Sequence, residues 1–385
     1  MKTRSILKET GSKSALPPVL ATTDANLAPG ATNETGSSLL NQSPPAIDPD
    51  AAARLAWDIY GITGELELLS SERDANFRIR LATGEQALLK ITNDAEPQGV
   101  TAMQTAALMH LAKIDPSLPV QRIHATLEGK AWTSVTSATG RQHIVRLMSY
   151  LEGKMLHAVT PAPGLHHALG NLLARLTLGL RGFFHPAGGH FLQWDIKQAH
   201  HLRPMIESVA DQDLRRRLTY VLDHFKAEIA PRIPRLRAQM VHNDFNPHNI
   251  VVDAVAANRP TGIIDFGDML FTPIICDLAI ACSYHVQARE NGGDGLDLVR
   301  EIIAGYTKAL PLEEEELELL PDLIRLRHIT TLAITAWRAQ LYPENAAYIL
   351  RNKAASLRGI DTLENIGMDA AVDALRAAAN SSKRN

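Results

Sequence analysis

The chain has 385 residues, a formal net charge of −3 and 45% hydrophobic residues. This is an ordinary globular composition, with length enough for two lobes that each bury a core. The near-neutral balance speaks against a nucleic-acid binder, which is usually basic, and no apolar run reaches membrane-spanning length.

In chain order, residues 1–46 are rich in Ser, Thr, Asn, Pro and Ala and poor in aromatics. Such a segment buries too little apolar surface to offset its ordering entropy, so a disordered N-terminal tail is expected. Lys2, Arg4, Lys8 and Lys13 are followed by no apolar h-region, which argues against a secretory signal. A cytoplasmic, reducing location is expected, with a transit peptide as the alternative for this acid-poor, hydroxyl-rich stretch.

Asp48–Tyr60 reads as a short helix with Pro49 in its first turn and Gly61 as its stop. Three strands are expected next, over Gly64–Ser70, Asn76–Leu81 and Gln86–Ile91. The polar joint between the first two contains Ser70, Ser71 and Asp74, whose backbone N–H groups could face a phosphate; a plain hairpin turn is the alternative. Lys90 stands in the run Ala87-Leu-Leu-Lys-Ile, and a cation on an apolar strand is costly unless paired. The helix Gln98–Lys113 follows, then strands over Pro119–Ile123, Gly129–Thr136 and His143–Leu151. From Pro161 onward the periodicity is helical: Leu165–Arg181, two helices within Glu207–Arg237, Pro273–Val286, Leu296–Leu310, and Glu313–Leu320, which Pro321 is expected to break or restart. Cys276 and Cys282 fall in the apolar helix Pro273–Val286 and read as small core residues, not a disulfide framework or a zinc site. Residues 371–385 are expected as a C-terminal tail.

The chemistry concentrates in Val241–Ala281. His242-x-Asp244 is followed by Asn249, and Ile264-Asp265-Phe266-Gly267-Asp268 comes later. Between them the β-branched run Ile250–Val252, a turn around Asn258–Gly262, and Ile263-Ile264 predict a hairpin that brings both loops to one end of paired strands. Phosphoryl transfer needs this set: one Asp to accept or orient the hydroxyl proton, and an Asn and a second Asp to hold Mg²⁺ against the triphosphate. The expected roles are Asp244 as base, Asn249 and Asp265 as metal ligands, and His242 as a brace of the loop backbone. Either loop alone is a weak signal; both in order, at this spacing, are a strong one.

These motifs resemble the aminoglycoside phosphotransferase and choline kinase superfamily, and V-H-N-D-F-N-x-x-N with I-D-F-G-D-M-x-x-T most resembles the hydroxylysine kinase group. Bacterial phosphotransferase domains fused to class III aminotransferases are also similar. The resemblance implies an α+β, two-lobed protein-kinase-like fold: a β-rich, nucleotide-binding N-lobe over 47–150 and a helical C-lobe over 151–370. It places Lys90 at the V-A-I-K position that pairs the α and β phosphates, and the Ser70, Ser71, Asp74 joint where protein kinases carry a glycine-rich loop, without the glycines. It also makes Met148, Ser149, Tyr150 and Leu151 the hinge whose backbone binds the purine edge, for ATP or GTP, and makes Asp277 a structural brace of the Asp244 loop. The usual Glu partner of the lysine is missing from the helix Gln98–Lys113; Gln104 and Glu96 stand nearest in sequence. Trp194 either stacks on a substrate or plugs the lobe, and Trp337, Arg338 and Tyr342 are candidate pocket walls or core residues.

The leading expectation is a small-molecule kinase acting on an amine-bearing alcohol, because Asp244, Asp253, Asp265, Asp268 and Asp277 face only Arg259 across this stretch. By resemblance 5-hydroxylysine is the first candidate, with ethanolamine-like amino alcohols, homoserine and aminoglycosides after it. A protein kinase is disfavoured by the absence of A-P-E and of an activation segment. A non-catalytic nucleotide-binding module rests only on the missing helix Glu.

Overall fold

The computed structural model describes residues 44–71, 73–137, 140–289 and 293–381. The expected N-terminal tail thus falls almost wholly outside the described residues. The chain divides into two compact units; among the described residues the first comprises 44–94 and 122–150, the second 95–121 and 151–381.

The first unit is an antiparallel sheet with one helix on it. Helix α1 (Pro49–Tyr60) starts at Asp48, whose carboxylate accepts from Ala51 N–H at 2.7 Å, and stops at Gly61 with φ +68°, a left-handed cap that glycine takes without penalty. Strands β1 (Glu65–Leu69), β2 (Ala75–Arg80), β3 (Gln86–Ile91), β4 (Ile123–His124), β5 (Thr133–Thr136) and β6 (Gln142–Ser149) follow. The sheet runs in the order β1-β2-β3-β6-β4, and β5 also pairs β6. The period-2 alternation decides the faces. Phe77, Ile79, Leu89, Ile91, Val145 and Leu147 join Ala52, Ala56 and Tyr60 of α1 in one core. Each large side chain buried there is worth about 1.5–3 kcal/mol. Lys90 alternates with Leu89 and Ile91 and so lies on the face opposite this core.

The second unit is mainly helical. It includes α2 (Gln98–Ile114), which sequence had grouped with the strands. Its other described helices of ten residues or more are α3 (Leu165–Gly179), α4 (Gln212–His224), α5 (Ile274–Ser283), α6 (Asp297–Ala309), α7 (Glu314–Leu341), α8 (Lys353–Ile366) and α9 (Met368–Ser381). Helix α5 is apolar apart from Asp277 and Ser283, and every one of its ten residues is buried. Small strands carry the loops of interest: β7 (Lys154–Met155), β9 (Ile250–Val252) and β10 (Pro260–Ile263) form one sheet, and β8 (Ala238–Val241) pairs β11 (Leu270–Pro273). No described helix is long and apolar enough to cross a membrane.

Three expectations are corrected. Pro321 does not break a helix; it sits inside the 28-residue α7. The N-terminus of that helix is held instead by a capping box between Glu313 and Glu316, and the fully buried Glu316 takes Arg237 Nε at 2.9 Å. Residues 371–381 are not a tail but belong to α9, which buries Ala371, Leu375, Ala378 and Ala379. The run Pro119–Ile123 is not one strand: Val120 bridges Ile263 in the second unit, while Ile123 begins β4 in the first.

Helices α3 and α6 cross on reciprocal glycines. A Cβ on Gly170 would lie 1.9 Å from the Ile302 carbonyl oxygen, and one on Gly305 would lie 1.9 Å from that of His167. Backbone cannot yield as a flexible side chain can, so Gly305→Ala should cost at least the roughly 1–3 kcal/mol of ordinary overpacking. A thermal melt should fall by about 2–4 °C for each kcal/mol. Gly189, whose Cβ would meet nothing within 4 Å, is the control. An unshifted melt for Gly305→Ala would contradict this crossing.

Candidate active site

Strands β9 and β10 pair antiparallel with Ile250 opposite Ile263, and the Ile264 N–H donates to the Asn249 carbonyl at 2.9 Å. The hairpin therefore sets the end of the Asp244 loop beside the start of the Asp265 loop. His242 ties them together. Its Nε2 lies 3.1 Å from the Ile264 carbonyl oxygen, and its Nδ1 lies 3.2 Å from the Asp244 N–H. A carbonyl can only accept, so Nε2 carries the proton and Nδ1 accepts; the ring is neutral. Its burial, which lowers the imidazole pKa, agrees. His242, expected as a brace of the loop backbone, bridges the two loops through these contacts.

A second brace comes from α5. The Asp277 carboxylate, 1% exposed, accepts the backbone N–H of Asn243 at 2.9 Å and that of His242 at 3.3 Å. Burial raises its pKa while these two donors pull it down. Asn243 has φ +62° and Asp265 φ +58°, in the left-handed region that Asn and Asp tolerate better than other side chains. Each bend turns the chain sharply at a loop carrying a proposed functional group.

Asp244 is held at both carboxylate oxygens. Asn249 Nδ2 donates to Oδ2 at 2.7 Å and to the Asp244 carbonyl at 3.0 Å. Arg327 Nη2 donates to Oδ1 at 3.3 Å. Burial and the nearby Asp268 and Asp265 carboxylates push the Asp244 pKa above the ordinary carboxylate range, and Arg327 opposes them. Because Asn249 turns its amide hydrogens to Asp244, its Oδ1 is the atom left to face a cation. The Asp265 Oδ1 accepts the Gly267 N–H at 3.1 Å. Among the described residues no three His, Cys, Asp or Glu side chains cluster as a metal cage. An amide oxygen and one carboxylate are the hard-donor set that suits Mg²⁺, which keeps waters and phosphate oxygens for its other positions.

The acidity expected of this region is smaller than the sequence implied. Asp253 pairs with Arg259 at 3.1 Å on the hairpin turn, and Asp277 is spent on backbone. Asp244, Asp265 and Asp268 remain, and Arg327 lies near Asp244 and Asp268. Arg327 was not among the expected site residues. Its signal was available: a cation inside the Leu- and Ile-rich helical run Leu320–Ile334.

In the first unit Lys90 Nζ pairs with Asp74 Oδ2 at 2.8 Å. Asp74 Oδ1 accepts the Asn93 N–H at 2.9 Å, and its own N–H points to Ser71 Oγ at 3.3 Å. Asp74 therefore does not offer the N–H expected of it. It serves as a carboxylate partner of Lys90, while Gln104 in the second unit donates to Glu96 at 2.7 Å. Ser70 lies just beyond β1. Of the four residues expected as a hinge, Met148 and Ser149 close β6, the Ser149 N–H donates to the Arg122 carbonyl at 2.8 Å, and that of Tyr150 to Gln86 at 3.4 Å. Two of their N–H groups are thus committed within the first unit. Leu151 opens the second.

The chain is similar to proteins named hydroxylysine kinase from Xenopus laevis, 27% identical over 355 residues, covering 86% of this chain and 93% of the relative, and from Mus musculus, 26% identical over 348 residues, covering 85% and 92%. Two solved structures share its fold. One is a microcompartment-associated aminopropanol kinase, with a TM-score of 0.60, 19% identity, and 87% of this chain and 98% of that one covered. The other is an amicoumacin kinase in complex with AMP-PNP, Ca²⁺ and Ami, with a TM-score of 0.60, 15% identity, and 82% and 94% covered. These likenesses bear out the expected α+β, kinase-like fold. The phosphotransferase enzyme family (APH) matches residues 65–317, well over half of the chain, and the chain belongs to that family.

Proposed function

We propose that this protein transfers the γ-phosphoryl group of ATP or GTP to the hydroxyl of an amine-bearing alcohol, with 5-hydroxylysine as the acceptor. The observation that carries the reading is the Asp244 carboxylate, fixed at both oxygens beside Asn249 and joined through His242 to the Asp265 loop. A carboxylate offers about four lone-pair sites, more than Asn249, Arg327 and the Asn246 side chain take up. Asp244 accepts the hydrogen bond of the acceptor hydroxyl, orients that oxygen, and takes its proton as the P–O bond forms. Asn249 Oδ1 and the Asp265 carboxylate would hold Mg²⁺, which when bound offsets the charge of the triphosphate. In the β-rich unit Lys90, kept in place by Asp74, supplies a cation for the phosphates. That pairing also removes the one argument for a non-catalytic module, since the lysine has a carboxylate partner without a helix Glu.

The choice of acceptor draws on the similarity to hydroxylysine kinases across 85–86% of this chain. Steady-state kinetics on 5-hydroxylysine, lysine, ethanolamine, homoserine and kanamycin, each with ATP and with GTP, test it. Hydroxylysine should give the highest kcat/KM, and lysine, which lacks the hydroxyl, should give no turnover. A higher kcat/KM for any other acceptor overturns this substrate and leaves the transfer chemistry standing.

The metal assignment has its own test. Asp265→Ala should weaken the Mg²⁺-dependent part of nucleotide binding by on the order of 10–100-fold, measured by titrating nucleotide with and without Mg²⁺. If the metal dependence of the variant matches that of the wild type, Asp265 is not a ligand.

A further inference from the structure

Helix α7 buries nearly every side chain from Leu317 to Thr335, and most of these are Leu, Ile, Ala or Thr. Arg327 stands among them with its side chain 3% exposed. A cation there loses its hydration, and a Met would fill the space without that loss. Arg325, two residues earlier, settles its charge locally on Asp322 of the same helix, at 2.6 Å. Arg327 instead reaches out of its helix to three other segments. Nη1 donates to the Trp194 carbonyl at 3.1 Å, Nη2 donates to Asp244 Oδ1 at 3.3 Å, and the Tyr284 hydroxyl just beyond α5 is a further partner. The guanidinium carbon lies 5.0 Å from the centre of the Trp194 ring. The ring face and the carbonyl of one residue therefore fix the plane of the fork.

We infer that Arg327 is a positioning residue for phosphoryl transfer: with Asn249 on Oδ2 and Arg327 on Oδ1, it locks the plane of the Asp244 carboxylate against the acceptor hydroxyl. The inference rests on the assignment of Asp244 as the base. A carboxylate held at one oxygen rotates about its Cβ–Cγ bond; held at both, it does not. Trp194 gains a role that sequence left open between substrate stacking and core packing: it is the platform of this arginine.

A double-mutant cycle separates positioning from a merely structural role. Wild type, Asp244→Asn, Arg327→Met and the double variant are compared for kcat at saturating substrates, for nucleotide affinity and for melting temperature. Arg327→Met should lower kcat by roughly 100-fold, the size expected of a misplaced reacting group, with nucleotide affinity within about twofold. In the Asp244→Asn background the same change should cost less than about threefold, because a residue acting through Asp244 has nothing left to position. Arg327→Lys keeps the buried charge but loses the planar fork, and covers the case in which Arg327→Met does not fold. It should lower kcat by about tenfold, again only where Asp244 is present. An equal loss in both backgrounds, or a kcat within about twofold of wild type for Arg327→Lys and Arg327→Met, overturns the inference. Near-normal turnover of Asp244→Asn alone overturns the base assignment instead, and the inference with it.

Discussion

The loop that carries Asp244 depends on a buried carboxylate in helix α5. Asp277 on α5 takes the backbone N–H groups of His242 and Asn243, and these are the residues that turn the chain from β8 into the loop. Asn243 sits at φ +62°, a conformation costing about 1–3 kcal/mol in a non-glycine residue. The two backbone hydrogen bonds that Asp277 accepts offset that cost. Once the turn is fixed, Asp244 and Asn249 face each other, and His242 is left to reach the Ile264 carbonyl across the hairpin. Helix α5 supports this because it is buried on all sides; a helix with a solvent face would move more freely.

The hairpin and the braces divide the work. Strand pairing between β9 and β10 sets the separation of the two loops along the chain direction. His242 sets their relation across the strands, and its neutral tautomer requires acceptors and donors on opposite sides of the ring. In the other unit the sheet does similar work with different means. The β2–β3 register sets Ala75 opposite Ile91, which brings Asp74 alongside Lys90 and Asn93. A carboxylate from the joint before β2 thus becomes a partner of the lysine.

How much of this was legible follows from where the information lies. The Asp244–Asn249 and Asp265 loops were readable because their residue types recur at fixed spacing around a short hairpin. Lys90 was readable because a cation on an apolar strand must have a reason. Asp74 was assigned the wrong group, its N–H instead of its carboxylate, because turn composition says that a loop can bind anions and says nothing of strand register. Arg327 lies 83 residues from Asp244 in sequence, and no local pattern links them. The criterion already applied to Lys90 would have flagged it together with Arg325, and only the structure separates the two. Pro321 misled because a proline's missing N–H is a local signal, whereas the surrounding helix is held by burial along Leu317–Thr335. The last helix was hidden by its polar end, though Ala371, Leu375, Ala378 and Ala379 follow the helical period.

The central claim is that the Asp244 carboxylate is the group on which phosphoryl transfer turns. The most direct measurement is the turnover of Asp244→Asn, which keeps the shape of the side chain and removes its basicity, beside its affinity for nucleotide. The account predicts a fall in kcat of about 10²–10⁴-fold with nucleotide affinity unchanged. Turnover near that of the wild type on the same acceptor would contradict it.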